Sequence, residues 1–140
     1  MTPEQKASER VRLRASSHGM RVFRNNSGVL MNPVGIPVRF GLGNESKKLN
    51  KKFKSSDYIG IHAVEITPEM VGKKLGVFVA LEAKADGFKI KESYSEKSRE
   101  YAQANFMGLI KKHGGIAGFA TNEIDVDRIL NDFLTELNNE

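Results

Sequence analysis

The spacing between hydrophobic positions changes several times along the chain, and these changes predict a mixture of helices and strands. Residues 3–17 carry small apolar side chains at intervals of four, and Pro3 suits a first turn, so a helix is predicted there. Short apolar runs bounded by turn residues then predict strands. The predicted strands cover residues 21–24, 28–31, 36–41, 57–66 and 75–84.

The C-terminal third of the chain predicts a helix, a strand and a last helix. Ser95 or Ser98 suits the N-cap of a helix that runs to about His113. The letters IAGFAT at residues 116–121 predict a short buried strand. Asn122 suits the N-cap of a final helix that carries an apolar stripe.

The order of these elements predicts an α/β fold with a mixed central β-sheet flanked by helices, in one domain over residues 1–140. The strand at 75–84, the helix after it and the strand at 116–121 predict a right-handed β-α-β unit. Three helix residues, Phe106, Leu109 and Ile110, are predicted core. His62 is expected to be buried in its strand without a functional role, and the lysine-rich residues 44–57 are expected to form a loop.

Composition narrows the class of protein. With 140 residues the chain is long enough for one core, and no apolar run approaches the roughly 18 residues of a membrane span. The absence of cysteine excludes disulfides, thiolate zinc sites and cysteine nucleophiles. We therefore expect a cytoplasmic protein without a membrane partner. A net charge of +5 favours polyanionic partners.

The strand at residues 75–84 ends in the letters LEAK, which place two charges beside an apolar run. Side chains alternate along a strand, so Glu82 and Lys84 share one face while Ala83 points away. A charge at the end of a buried strand is costly unless it finds a partner or a metal. The stretch is therefore either a structural ion pair or a working site.

A second carboxylate extends the working-site interpretation. Asp57 opens another predicted strand, which has room to lie beside the strand of Glu82. Two carboxylates and an ammonium group supply what phosphodiester hydrolysis needs: oxygen ligands for a hard cation and a positive charge beside it. Mg²⁺ or Mn²⁺ is the expected cofactor, with the Ala83 carbonyl as a further ligand and no small-molecule cofactor. Spacing alone leaves the structural ion pair as the alternative.

Four stretches of the chain carry a family resemblance. In order they are FRNNSG, RFGLGNES…SSDYIG, LEAK and QANFMGLIKKHGGIAGFA. Together they resemble the VRR-NUC domain, the virus-type replication-repair branch of the PD-(D/E)XK nucleases, in its small standalone form. The resemblance covers residues 4 to about 120, and its most specific parts are the D…E-x-K set and the pair Gln103 and Phe106. It implies a restriction-endonuclease-like core.

The resemblance also implies site residues, which are Asp57, Glu82, Lys84 and Gln103. The aspartate and the glutamate would bind the metal, the lysine would be catalytic, and the glutamine would lie beside the metal site. A glutamate of the first helix would approach the same metal. Glu4 matches by position, and Glu9 is the alternative.

Basic and amide side chains near these positions are predicted DNA contacts. They are Arg24, Asn25, Asn26, Arg39, Lys47, Lys48, Lys51, Lys52 and Lys54. The lysines directly precede Asp57, so they are expected to bind phosphates near the active site without reading sequence. The alternatives are a solvated loop for the lysines and polar turns for the others.

The resemblance implies a metal-dependent DNA endonuclease that selects branched DNA such as four-way junctions, located in the host cytoplasm if a phage encodes it. A homodimer is expected, because two symmetric sites suit two symmetric cuts. The strands around residues 28–41 are the favoured interface, and the last helix is the alternative. Two other functions stay open. One is a basic DNA-binding protein without catalysis, and the other is a nicking or restriction-like nuclease without junction preference.

Overall fold

The computed structural model describes residues 1–139, which form two compact units, Met1–His62 and residues 63–139. Both units combine helices with strands, so the protein is α/β, as predicted. No helix within residues 1–139 is both long enough and apolar enough to cross a bilayer. The single domain over residues 1–140 stays a prediction.

The first unit contains two helices and four short strands. They are α1 (Pro3–Ser17), β1 (Arg21–Arg24), β2 (Gly28–Met31), β3 (Pro37–Phe40), α2 (Lys47–Lys52) and β4 (Tyr58–Ile61). Helix α1 begins at a capping box: the Thr2 hydroxyl accepts from the Gln5 amide, and the Gln5 side chain accepts from the Thr2 amide. The predicted bounds of this helix are confirmed.

Strands β1 and β4 pair antiparallel, and the pairing limits β4 to four residues. Gly60 lies so close to β1 that a Cβ there would meet the carbonyl oxygen of Arg21, so the approach requires glycine. Because β1 offers only four partners, β4 ends at Ile61 rather than at residue 66. The burial predicted for His62 is wrong, since His62 follows the strand and is exposed.

The lysine-rich segment differs from its prediction. Residues Lys47–Lys52 form the short helix α2 rather than part of a loop. The Ser46 hydroxyl accepts a hydrogen bond of 3.0 Å from the Leu49 amide, which caps the first turn. The four lysines of α2 remain exposed, so the helix presents them to solvent.

Strands β2 and β3 form an antiparallel hairpin that Asn44 holds at its open end. Asn44 is 4% exposed, and its Nδ2 donates to the carbonyls of Gly28 and Phe40 at 2.8 and 2.9 Å. The hairpin leaves many large apolar side chains exposed, namely Val29, Leu30, Met31, Val34, Ile36, Val38 and Phe40. Since a lone two-stranded hairpin is only marginally stable, this surface is a place where further packing would stabilise the chain.

The second unit contains a strand–helix–strand unit and a last helix. Its elements are a 3₁₀ turn (Pro68–Met70), β5 (Val79–Ala83), α3 (Arg99–Lys112), β6 (Ile116–Ala120) and α4 (Glu123–Asn138). Strands β5 and β6 pair in parallel, which confirms the predicted β-α-β connection through α3. Asn122 caps α4 with its side chain, as predicted, and Ser98, one of the two serines predicted for α3, caps that helix.

The core of the second unit forms where α3 and α4 pack on β6. Its buried side chains are Met107, Ile110, Ala117, Phe119 and Ile129. The prediction for Ile110 is confirmed, because this side chain is fully buried. The prediction for Phe106 is wrong: its side chain is exposed, since Met107 and Ile110 define the inward face of α3.

The strands of residues 1–139 form three two-stranded sheets. The first unit contributes the antiparallel pairs β1–β4 and β2–β3, and the second contributes the parallel pair β5–β6. Both strand directions therefore occur. The single central sheet and the restriction-endonuclease-like core stay predictions.

Candidate active site

The end of β5 presents Glu82 and Lys84 on one face, as strand alternation predicts. Ala80, Glu82 and Lys84 are half-buried, whereas Val79 and Leu81 on the other face are exposed. The expectation of a buried strand is therefore corrected to a half-buried one, because within residues 1–139 β5 pairs only with β6. The two charges lie on the more buried face.

Glu82 has a defined partner on α3. Its Oε1 accepts a hydrogen bond of 2.7 Å from Nε2 of Gln103. The oxygen of the same side-chain amide, Gln103 Oε1, is buried and has no hydrogen-bond partner within residues 1–139. The pair lies in a groove of about 370 Å³ that is also lined by Arg99 and by the apolar residues Ala80, Leu81, Ala102, Phe106 and Met107. The groove thus combines a carboxylate with an unused amide oxygen.

Lys84 pairs with an acid that the sequence analysis did not select. Its Nζ lies 3.1 Å from Oε1 of Glu100, and the two side chains are 15% and 27% exposed. The same ammonium lies 5.3 Å from the ring centroid of Phe88 and 5.7 Å from that of Phe119. The acid within ion-pair distance of Lys84 is therefore Glu100, and not Glu82 on the same face of the strand.

The electrostatic surroundings of Glu100 follow from its position at the start of α3. A hydrogen bond from its own backbone amide and the hydrogen bond from Lys84 lower the pKa of Glu100 below 4.5. A signal for this residue was present in the sequence. Glu100 precedes Gln103 by three positions, so both lie on one face of the helix.

In the first unit, Asp57 lies beside α1 in an open groove of about 1050 Å³. Glu4 and Glu9 of α1 line the same groove, so both candidate helix acids share it with Asp57. Two arginines, Arg12 and Arg24, also line it. The Asp57 side chain is exposed, and its carboxylate makes no hydrogen bond or ion pair within residues 1–139.

The backbone around Asp57 is held by Asn25. The Asn25 amide donates to the Asp57 carbonyl at 2.8 Å, and the Asn25 side chain donates to the Ser56 carbonyl at 2.8 Å. Arg24 Nε donates to Oδ1 of Asn26 at 3.1 Å. A contact of 2.7 Å between the hydroxyls of Ser8 and Tyr58 joins α1 to β4. Asn25, within the FRNN stretch, therefore holds the backbone turn that presents Asp57. The DNA contacts of Arg24, Asn25 and Asn26 stay predictions.

The other predicted DNA contacts are basic side chains of the first unit. Lys47, Lys48, Lys51, Lys52 and Lys54 are exposed, and the ion pairs found within residues 1–139 do not use them. Arg39 is different, because it is half-buried and its Nε is buried without a hydrogen-bond partner in that part of the chain. The exposed lysines are thus accessible to a polyanion.

The fit to a hard cation is partial in each unit. The Glu82 carboxylate and the unused Gln103 oxygen are the donor type that Mg²⁺ prefers. Glu4, Glu9 and Asp57 line one groove, but nowhere in residues 1–139 do three acidic or histidine side chains converge as a metal-binding group. Asp57 belongs to the first unit and Glu82 to the second.

Comparisons with models of protein families, with curated proteins and with solved structures give no match for this chain. The resemblance to VRR-NUC nucleases therefore depends on the quoted motifs.

Proposed function

We propose that the protein is a metal-dependent DNA endonuclease of the PD-(D/E)XK type. The observation that carries the proposal is the contact of 2.7 Å between Glu82 and Gln103, with Lys84 on the same face of β5. The family resemblance implies a glutamine beside the E-x-K strand, and Gln103 occupies that position. An ordinary surface Glu–Lys pair would not require such a helix partner.

The proposed ligands of the metal are Glu82, Asp57, the Ala83 carbonyl and Glu4, with Glu9 as the alternative helix acid. Bound Mg²⁺ or Mn²⁺ would stabilise charge on the scissile phosphate and lower the pKa of the attacking water. Gln103 orients the Glu82 carboxylate by its hydrogen bond. Lys84 offers a fixed ammonium group that stabilises the developing negative charge.

DNA is the proposed substrate because the exposed positive charge precedes Asp57 in the chain. The lysines of α2 and Lys54 contact phosphates in this proposal, which gives affinity without sequence specificity. Arg24, Asn25, Asn26 and Arg39 would extend this surface. Branched DNA is the proposed preference, since the resemblance implies it.

A homodimer is proposed for the cutting of both strands of a junction. The exposed apolar β2–β3 hairpin supports an interface there. Light scattering at micromolar concentration should report about twice the chain mass of 15.6 kDa. Replacing Leu30 with lysine on the exposed hairpin should then give monomers, and a wild-type monomer that cuts both strands in one encounter would exclude the dimer.

One observation favours a second function, a DNA-binding protein without catalysis. Lys84 already has an acidic partner and two aromatic neighbours, which is also what a structural ion pair requires. In that case DNA binding by α2 would be the whole function. The two functions differ in one measurable property, the hydrolysis of DNA in the presence of a divalent metal.

A cleavage assay tests the proposal. Purified protein is incubated with Mg²⁺ and a four-way junction, a flap or a linear duplex, and the Glu82→Ala variant is compared with wild type. Glu65→Ala is a suitable control, because Glu65 is an exposed glutamate of the same unit. We expect cleavage by wild type and the control, preferably of the junction, and none by Glu82→Ala. Equal cleavage by all three proteins would exclude Glu82 as a metal ligand.

A further inference from the structure

Two polar contacts join α3 to the end of β5, and the spacing of the two strand residues matches the spacing of their two partners on the helix. Glu82 contacts Gln103, and Lys84 contacts Glu100. Residues two apart on a strand share a face, and so do residues three apart on a helix. The helix therefore offers one partner for each charged residue of the strand, an amide for the carboxylate and a carboxylate for the ammonium.

The position of Lys84 is set by more than one contact. Its backbone amide donates to the Ala120 carbonyl at 2.9 Å, so the residue continues the pairing with β6. Its ammonium group lies beside Glu100 and near the rings of Phe88 and Phe119. Phe119 is buried, so one of the two rings near the ammonium group belongs to the core of the unit. The ammonium is thus fixed on the α3 side of the strand.

We propose that Glu100 is a positioning residue that keeps Lys84 from forming an ion pair with Glu82. This inference rests on the proposed function, since it concerns the availability of Glu82 as a metal ligand. The Cα atoms of Glu82 and Lys84 are separated by about 6.6 Å along the strand, a distance that a lysine side chain spans. Without Glu100, Glu82 remains as an acid on the same face of the strand as Lys84.

A consequence follows for metal binding. An ammonium group bound to Glu82 competes with a cation for the carboxylate oxygens. Removing the charge of Glu100 should therefore weaken metal binding, although Glu100 is not itself a ligand. Removing Lys84 as well should restore the binding, because the competitor is then absent. A residue that served only the fold would not show this reversal.

The test is calorimetric titration of Mn²⁺ into four proteins: wild type, Glu100→Gln, Lys84→Ala and the double variant. We expect the dissociation constant to rise about tenfold in Glu100→Gln, as for other residues that support metal ligands. It should return to near the wild-type value in the double variant. Additive or absent effects would overturn the positioning role.

A matched control separates positioning from stability. Glu123→Gln removes an acid from the first turn of α4, where no ion pair uses it within residues 1–139. Its Mn²⁺ affinity should equal that of wild type. Thermal unfolding of each variant shows whether the fold is retained. If Glu100→Gln unfolds at the assay temperature, Glu100→Ala replaces it, because it also removes the carboxylate, and unchanged Mn²⁺ affinity in that folded variant would overturn the inference.

Cleavage by the same proteins distinguishes the two proposals. Reversal of the Mn²⁺ affinity without any DNA cleavage would support the role of Glu100 and exclude the nuclease. Cleavage by wild type together with unchanged affinity in Glu100→Gln would support the nuclease and exclude the role. A wild-type protein that does not bind Mn²⁺ would overturn both.

Discussion

The two carboxylates of the proposed site have contrasting surroundings. Glu82 in the second unit is half-buried and accepts a hydrogen bond from Gln103. Asp57 in the first unit is exposed, and only its backbone is held, by Asn25. The contrast teaches that one acid is oriented through its side chain and the other through the turn that carries it. Substitutions should therefore separate chemistry from stability more cleanly at Asp57 than at Glu82.

The largest expected effect tests whether the two acids serve one reaction. Asp57→Asn should reduce cleavage by about 100-fold or more, which corresponds to about 2.7 kcal/mol of transition-state stabilisation. If Asp57 and Glu82 hold one metal, the double variant with Glu82→Ala should be no slower than either single variant. Single-turnover rates at saturating DNA measure this, and multiplied reductions would show independent roles.

The lysines of the first unit should control affinity rather than chemistry. The test variant carries alanine at Lys47, Lys48, Lys51 and Lys52. Every phosphate that a lysine no longer neutralises should lower the slope of log affinity against log salt by about 1. The rate at saturating DNA should stay the same. Fluorescence anisotropy at several salt concentrations measures the slope, and Lys73→Ala with Lys74→Ala in the second unit is the control. An unchanged slope would mean that α2 does not contact DNA.

Stability should respond differently in the two units. Gln103→Leu leaves the half-buried Glu82 carboxylate without its hydrogen bond, so the free energy of unfolding should fall by about 1 kcal/mol. Asp57→Asn changes an exposed carboxylate and should change it by less than about 0.5 kcal/mol. Urea denaturation of both variants measures the difference. Equal decreases would contradict the contrast between the two acids.

The smallest expected effect is a loss of stability at low pH. Hydrogen bonds from the Thr121 backbone amide and hydroxyl lower the pKa of Asp125 below 3.8, and the pKa of Glu100 is lowered below 4.5. A lowered folded-state pKa contributes stability above the unfolded value, and this stability is lost as the pH falls through the folded value. The second unit should therefore weaken below about pH 4. Hydrogen exchange at pH 5 and pH 3 measures this, and the weakening should be smaller in Asp125→Asn.

The sequence predicted those parts of the fold that depend on local signals. Pro3 and Asn122 mark helix starts by chemistry that acts within one turn, and both were found where predicted. The start of α3 was predicted at Ser95 or Ser98, and Ser98 is its cap. Features set by distant partners were missed. Strand β4 ends at Ile61, whose partner Arg21 is the first residue of β1. The inward face of α3 depends on how the helix packs against β6, which exposes Phe106 instead of burying it.

The candidate site was likewise predicted only where local signals or the family resemblance were sufficient. Strand alternation was enough to place Glu82 and Lys84 on one face, and the resemblance was enough to select Gln103. The partner of Lys84 was missed, because the choice among nearby acids depends on how α3 packs against β5. Helix spacing from Gln103 would have selected Glu100 once that packing was assumed.

The close approach at Gly60 has a genetic consequence. A methyl group at this position would meet the backbone of β1 and separate β1 from β4. Asp57 directly precedes β4, so its position depends on this pair. In a saturation mutagenesis screen scored by function, Gly60 would therefore tolerate as few substitutions as Asp57, although it performs no chemistry. Intolerance to mutation would identify the scaffold of the site and its reactive groups equally, and only purified variants assayed for folding and cleavage would tell them apart.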